Sequence, residues 1–199
     1  MHITQIYTYP VKSMRAIQHQ SLEATNFGFP YDRYWMLIDE HNQFISQRKI
    51  PELALFQPIF QQNTLLVTYN NDRIEIPLER SASQRIKTVV WDDEVLALEE
   101  DPSIHYWFSQ HLNQPVRLVR KASFPQRSVK NHAETYVNFA DGSQYLIIGE
   151  ETLQDLNSKL TQPIAMSQFR PNLVFSDGDA YDEDYWKNIT VGSAHFEAT

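Results

Sequence analysis

What most constrains the fold of this chain is a repeated pattern of apolar, β-branched and aromatic stretches broken by short polar turns. Tyr34-Trp35-Met36-Leu37-Ile38-Asp39 runs into Glu40-His41-Asn42-Gln43 and out through Phe44-Ile45-Ser46, which predicts a hairpin. Leu65 to Tyr69 and Arg73 to Ile76 flank Asn70-Asn71-Asp72, and Ile86 to Trp91 and Glu94 to Leu98 flank Asp92-Asp93, which predicts two more. Ile3, Tyr7 and Tyr9 mark a β-rich opening that ends at Pro10, a second extended segment spans Gln18 to Ala24, and Val116 to Val119 reads as a strand. Helical periodicity is confined to two stretches. Asp101-Pro102 supplies an N-cap and a proline at the first helical position, ahead of Ile104, Trp107, Phe108 and Leu112 on one face. Glu150 to Leu160 places Leu153, Leu156 and Leu160 together and is stopped by Pro163. The expectation is a β-dominated α+β protein, barrel-like, with a few packing helices on its outside. A soft boundary near residue 121 divides 1–121 from 122–199, and Lys121 to Gln144 reads as a polar, irregular loop.

Charge and residue usage exclude several function classes. A net charge of −8 argues against a nucleic-acid-binding domain, which would present a basic face. No run approaches the roughly 18 apolar residues of a membrane span. Met1 leads into His2-Ile3-Thr4-Gln5-Ile6-Tyr7 without a basic and then apolar leader, so a cytoplasmic protein is expected. Cysteine is absent, which removes disulfides, thiolate-bound zinc, iron–sulfur clusters and thiol nucleophiles from these residues.

The common catalytic signatures fail. The five glycines fall at 28, 142, 149, 178 and 192, with no spacing that fits a dinucleotide, P-loop or nucleophile-elbow motif. His105 and His111 lie six apart and point to different faces of the first helix. Asp177 to Asp184 is rich in carboxylates, but Tyr181 and Asp182 stand where a calcium loop needs a ligand and a glycine, so a solvated acidic loop is the better account.

What stands out is Gln168-Phe169-Arg170-Pro171-Asn172-Leu173-Val174-Phe175. Leu173, Val174 and Phe175 form a short buried strand, and a bare core strand needs neither the cationic fork of Arg170 nor the amide of Asn172. Pro171 predicts extended backbone at Arg170, and strand alternation would then point Arg170 and Asn172 the same way. Lys12 and Arg15, Arg33, Arg48 and Lys49 also sit near strand ends. Several such cations converging with a hydroxyl and an amide would suit a phosphorylated, polar-edged small molecule.

The order of short motifs carries a resemblance. Tyr9-Pro10-Val11-Lys12-Ser13, Asp32-Arg33-Tyr34-Trp35-Met36, Ile45-Ser46-Gln47-Arg48, Phe139-Ala140-Asp141-Gly142, Phe169 to Val174, and Glu183-Asp184-Tyr185-Trp186 before Ile189-Thr190-Val191-Gly192 together resemble a MOSC protein over nearly the whole chain. Within that superfamily the chain is similar to the amidoxime-reducing type. The resemblance implies a MOSC N-terminal β-barrel region over 1–121 and a MOSC domain over 122–199. It implies molybdenum cofactor (molybdopterin), reduction of an N-hydroxylated small-molecule substrate, and an electron-donor protein or domain as partner. Lys12, Ser13, Arg33, Arg170 and Asn172 match positions that hold the pterin and its phosphate, and Thr152 matches a serine position of the family's motif.

One departure is large. The family's molybdenum ligand is a cysteine shortly after the strand that here reads Ala194 to Ala198, and this sequence has none. Molybdenum takes a soft sulfur donor from the protein, so the expectation is a C-terminally truncated part of a longer oxidoreductase, inactive by itself. The alternative is a non-catalytic binding module for a pterin, a phosphorylated ligand or a sulfur-transfer partner. A third reading makes the cations surface charges with no ligand.

Overall fold

A computed structural model of the chain describes residues 1–79, 84–124, 126–130 and 132–199. The elements run β1 (His2–Thr8), β2 (Ile17–His19), β3 (Trp35–Ile38), β4 (Gln57–Gln61), β5 (Thr64–Tyr69), β6 (Asp72–Pro77), β7 (Arg85–Val90) and β8 (Asp93–Glu99), then α1 (Pro102–Leu112). They continue as β9 (Arg117–Lys121), β10 (Arg127–Val129), β11 (His132–Val137), β12 (Ile147–Gly149), α2 (Glu150–Ser158), β13 (Leu173–Ser176), β14 (Asn188–Val191) and β15 (Ala194–Glu197). The result is the β-dominated α+β architecture expected from the sequence, with a curled, half-barrel sheet arrangement.

β3, at one end of the sheet ordered β3-β9-β8-β7, is the centre of the larger core, because all four of its residues are buried. Trp35 and Leu37 point into a cluster with Met14, Phe56, Leu65 and Phe108, which α1 and the β4-β5-β6 sheet cover. Met36 and Ile38 point the other way, onto Val90, Val95, Val119 and Phe139. Successive strand residues face opposite sides, so four consecutive apolar residues satisfy two cores at once. The Trp35 indole still needs an acceptor, and it donates to buried Glu100 at 2.7 Å. Arg120 neutralises that carboxylate and donates to the carbonyls of Pro77 and Leu78, tying the end of β6 to the central sheet.

A second sheet, ordered β12-β13-β1-β2, joins the two halves of the sequence. β1 pairs antiparallel with β13, His2 opposite Ser176 and Ile6 opposite Leu173, while β12 lies parallel to β13. α1 forms as expected: Asp101 accepts from the Ser103 N–H, and Asn113 closes the helix in left-handed backbone at φ 52°. Among the described residues no helix is long and apolar enough to cross a membrane.

Several expectations need correction. The third hairpin turns at Trp91-Asp92, not Asp92-Asp93, since Val90 pairs with Asp93 and Trp91 takes φ 56°. The stretch from Lys121 to Gln144 is not irregular throughout: β9 runs to Lys121 and β10 pairs with β11, whereas Pro125 and Asn131 lie outside the described residues. Between Gln18 and Ala24 the strand ends at His19, once its pairing with β1 runs out. The arm at Phe44-Ile45-Ser46 forms no full strand among the described residues and is held to β3 by a bridge to Ile38 and by the Ile45 N–H donating to the Leu37 carbonyl. α2 stops at Ser158, short of Leu160, and buries no residue fully.

Candidate functional site

Three chain segments that bend through left-handed backbone meet at one wall of a cavity of about 1000 Å³. Beyond β1, Val11 bridges Trp35 and the Lys12 N–H donates to the Trp35 carbonyl at 2.8 Å; Ser13 then turns at φ 70°. Before β3, Arg33 sits at φ 46°, its N–H donating to Tyr9 and its carbonyl accepting from Phe139. Before β13, Arg170 sits at φ 59°. Pro171 thus fails to impose the extended backbone expected of Arg170. Tertiary hydrogen bonds override it: Arg33 donates to the Arg170 carbonyl and the Tyr9 hydroxyl to the Pro171 carbonyl, both at 3.1 Å. Left-handed backbone at a residue with a side chain costs about 1–2 kcal/mol, and such strain concentrates at functional sites.

Arg33 and Arg170 do not converge by strand alternation. Each guanidinium carbon lies 4.2 Å from the centroid of the Tyr9 ring, which the sequence did not single out. Burial pushes the Tyr9 phenol up to about 12, so it stays a neutral donor. Asp32, itself buried, accepts from Arg33, from the Tyr9 N–H at 2.7 Å and from the Asn172 amide at 3.2 Å. Asn172 is 1% exposed, its oxygen accepting from Arg33 and the Leu146 N–H while its nitrogen also donates to the Tyr7 carbonyl. That amide fixes the direction of Arg33. Arg170 is different: it donates to the Met14 carbonyl at 2.8 Å, and among the described residues no carboxylate pairs with it. Burial, and then the neighbouring Arg33, pull its guanidinium down to about 10.

Lys12 holds a second cationic position. Its ammonium donates to the Phe139 carbonyl at 2.8 Å and pairs with Asp141, whose carboxylate also accepts from the Trp91 indole at 2.9 Å. Burial lowers the Lys12 pKa, and Asp141 offsets that only in part. Arg127, which falls in the stretch expected to be a polar, irregular loop, is buried and donates to the carbonyls of Asn138, Ala140 and Asp141, fixing the backbone that carries Asp141. Arg48 lines the cavity and stacks over Trp91 at 5.1 Å, whereas Arg15 and Lys49 do not line it. The facing wall is the β14–β15 hairpin, with Phe196 edge-on to Tyr145 at 5.0 Å.

The structure therefore brings Lys12, Ser13, Arg33, Arg170 and Asn172 to one cavity. Thr152 is not among its lining residues; its hydroxyl donates to Glu183 and accepts from the Tyr181 N–H, one layer behind the wall. Tyr9, Asp32, Trp91 and Asp141 were not legible as site residues, because each acts through contacts with residues distant in sequence. The cation set and the volume fit the phosphate and ring of a pterin. The chain supplies no thiolate for a metal, and among the described residues no group of three or more His, Cys, Asp or Glu could hold one.

The chain is similar to known proteins over nearly its whole length. Molybdenum cofactor sulfurase of Oryza sativa subsp. japonica is 30% identical over 98% of this chain and 27% of its own length. Mitochondrial amidoxime-reducing component 1 of Mus musculus is 28% identical over 98% of this chain and 61% of its own. Human molybdenum cofactor sulfurase is 26% identical over 98% of this chain and 25% of its own. The chain thus spans between about a quarter and three fifths of these relatives. The MOSC N-terminal beta barrel domain matches residues 1–115 and the MOSC domain residues 134–199. With the first match alone covering more than half of it, this chain belongs to the MOSC family.

Proposed function

We propose that these residues form the cofactor cradle of a molybdenum-cofactor-dependent oxidoreductase that reduces N-hydroxylated compounds. The observation that carries this is the convergence of Lys12, Arg33 and Arg170 on one cavity wall, with Arg170 lacking an anionic partner among the described residues. The division into 1–121 and 122–199 belongs to the same proposal: Lys12, Arg33 and Arg48 come from the first region, Asp141 and Arg170 from the second. Arg170, Arg33 and the Ser13 hydroxyl, which line the same cavity, would hold the phosphate. Asp32, Asn172 and Tyr9 orient the two guanidinium groups. When bound, the cofactor supplies two-electron chemistry at molybdenum. The residues of this chain bind, orient and neutralise charge, and an electron-donor protein or domain completes the cycle.

Relatives named for amidoxime reduction and for cofactor sulfuration both match, and the sequence holds no cysteine. That favours a second reading for these residues taken alone: a module that holds a phosphorylated pterin, or serves a sulfur-transfer partner, without redox chemistry. Calorimetric titration with a phosphorylated pterin tests the cradle. Wild type is expected to bind, and Arg170→Ala to bind at least about tenfold more weakly, as loss of a charge-assisted bond predicts. Equal affinity of the two would overturn it. Assay of the full-length gene product for molybdenum and for reduction of an N-hydroxylated amidine separates the two readings.

A further inference from the structure

Lys12 presents a problem that the cradle alone does not answer. Its side chain is 8% exposed and its ammonium faces the cavity that we assign to an anion, yet a carboxylate of the same chain already occupies it. That carboxylate, on Asp141, is 67% exposed and therefore free to rotate away. Its backbone is not free, because Arg127 grips the carbonyls of Ala140 and Asp141 at 2.6 and 3.1 Å. Only the side chain needs to move, and the Phe139 carbonyl remains bonded to Lys12 when it does. The second donor to Asp141 is the indole of Trp91, at the left-handed tip of the β7–β8 hairpin. Trp91 packs edge-on to Phe44 at 5.0 Å, and the Lys12 ammonium lies 5.1 Å over that same Phe44 ring.

We propose that Asp141 is a resident counter-anion of Lys12, displaced together with its Trp91 contact when a phosphate monoester dianion enters the cavity. The proposal rests on the cradle reading above and adds a device to it. In the ligand-free chain the carboxylate neutralises a buried ammonium that would otherwise be costly to leave unpaired. On binding, the dianion takes over Lys12, and the Asp141 carboxylate turns to water. Asp141 thus sets the threshold for anion entry, screening out weakly bound monoanions that cannot outcompete a tethered carboxylate.

The test uses inorganic phosphate and a phosphorylated pterin as probes, read by calorimetry and tryptophan fluorescence. The chain has four tryptophans, so Trp91→Phe identifies the signal. In wild type, phosphate is expected to change the Trp91 emission. Asp141→Asn, which keeps the shape and removes the charge, is expected to bind both probes roughly tenfold more tightly and to lose most of that change. Because the variant is expected to bind phosphate more tightly, its melting temperature should rise more with phosphate than that of wild type. If Asp141→Asn binds no more tightly than wild type while Arg170→Ala still weakens binding, Asp141 is only a structural partner and the counter-anion role falls, with the cradle intact. If Asp141→Asn tightens binding but Arg170→Ala changes nothing, the counter-anion stands and the role of Arg170 falls. If no variant binds either probe, both fall.

Discussion

Ser13, Arg33 and Arg170 owe their positions to backbone that side chains disfavour, and the hydrogen bonds that hold it come from residues far away in sequence. At this scale the electrostatics can be checked most directly at Asp141. Burial alone would raise its carboxyl, but the Lys12 ammonium and hydrogen bonds from Lys12 and Trp91 outweigh that and hold it below the ordinary carboxylate range, with Arg33 adding to them. A carboxyl depressed in the folded state contributes stability that is fully present above the unfolded value and lost as pH falls through the lowered one. Wild type should therefore melt above Asp141→Asn near neutrality, with the gap closing in acid as Asp141 protonates. Calorimetric melts at stepped pH check this, and a gap unchanged down to strong acid would contradict the pair. The sequence named Arg170, Lys12 and Arg33, because cations beside strand ends and a proline are visible in one dimension. It could not show that the Asn172 amide is spent on orienting Arg33, or that Tyr9 underlies both guanidinium groups.

Elements with a strong local signal formed where the sequence placed them: β3, β5, β6, α1 and β13 have clear periodicity, caps or apolar runs. β4 and β12 escaped notice for a physical reason. β4 is an edge strand carrying Pro58, and β12 is three residues long, defined by its parallel pairing with β13 rather than by its own composition. The junction of β12 and α2 gives a sharp test. Gly149 has ordinary negative φ, so backbone freedom is not what it provides. A Cβ there would lie 2.9 Å from the Phe175 ring and 3.2 Å from the Thr152 hydroxyl. Gly149→Ala should therefore destabilise the chain by about 1–3 kcal/mol through overpacking. Urea unfolding measures it, and an unchanged midpoint would mean that Phe175 yields freely.

For the whole molecule, the decisive fact is that the two regions share a sheet. β1 lies between β13 and β2, so residues 122–199 alone would lose the strand that pairs with β13 on its far side from β12. The same division cuts through the cavity, whose cations come from both regions. Residues 122–199 expressed separately should therefore melt without cooperativity or aggregate through the exposed edge of β13. A soluble fragment with a sharp thermal transition would contradict this. The proposed division near residue 121 rests on the polar stretch that follows it; the pairing of β1 with β13 across it was not legible, since nothing local to β1 specifies a partner so distant.

That pairing also sets a timetable. Thr4 bonds to the Val174 carbonyl, 170 positions further on. A ribosome adding about 5–20 residues per second leaves β1 waiting on the order of ten seconds for the strand it needs. During that interval β1 has only the short β2 beside it, and the edge that β13 will cover stands open. β1 is thus made long before the strand that secures it, and during translation the chain depends on whatever keeps an apolar ribbon from finding a neighbour of its own kind.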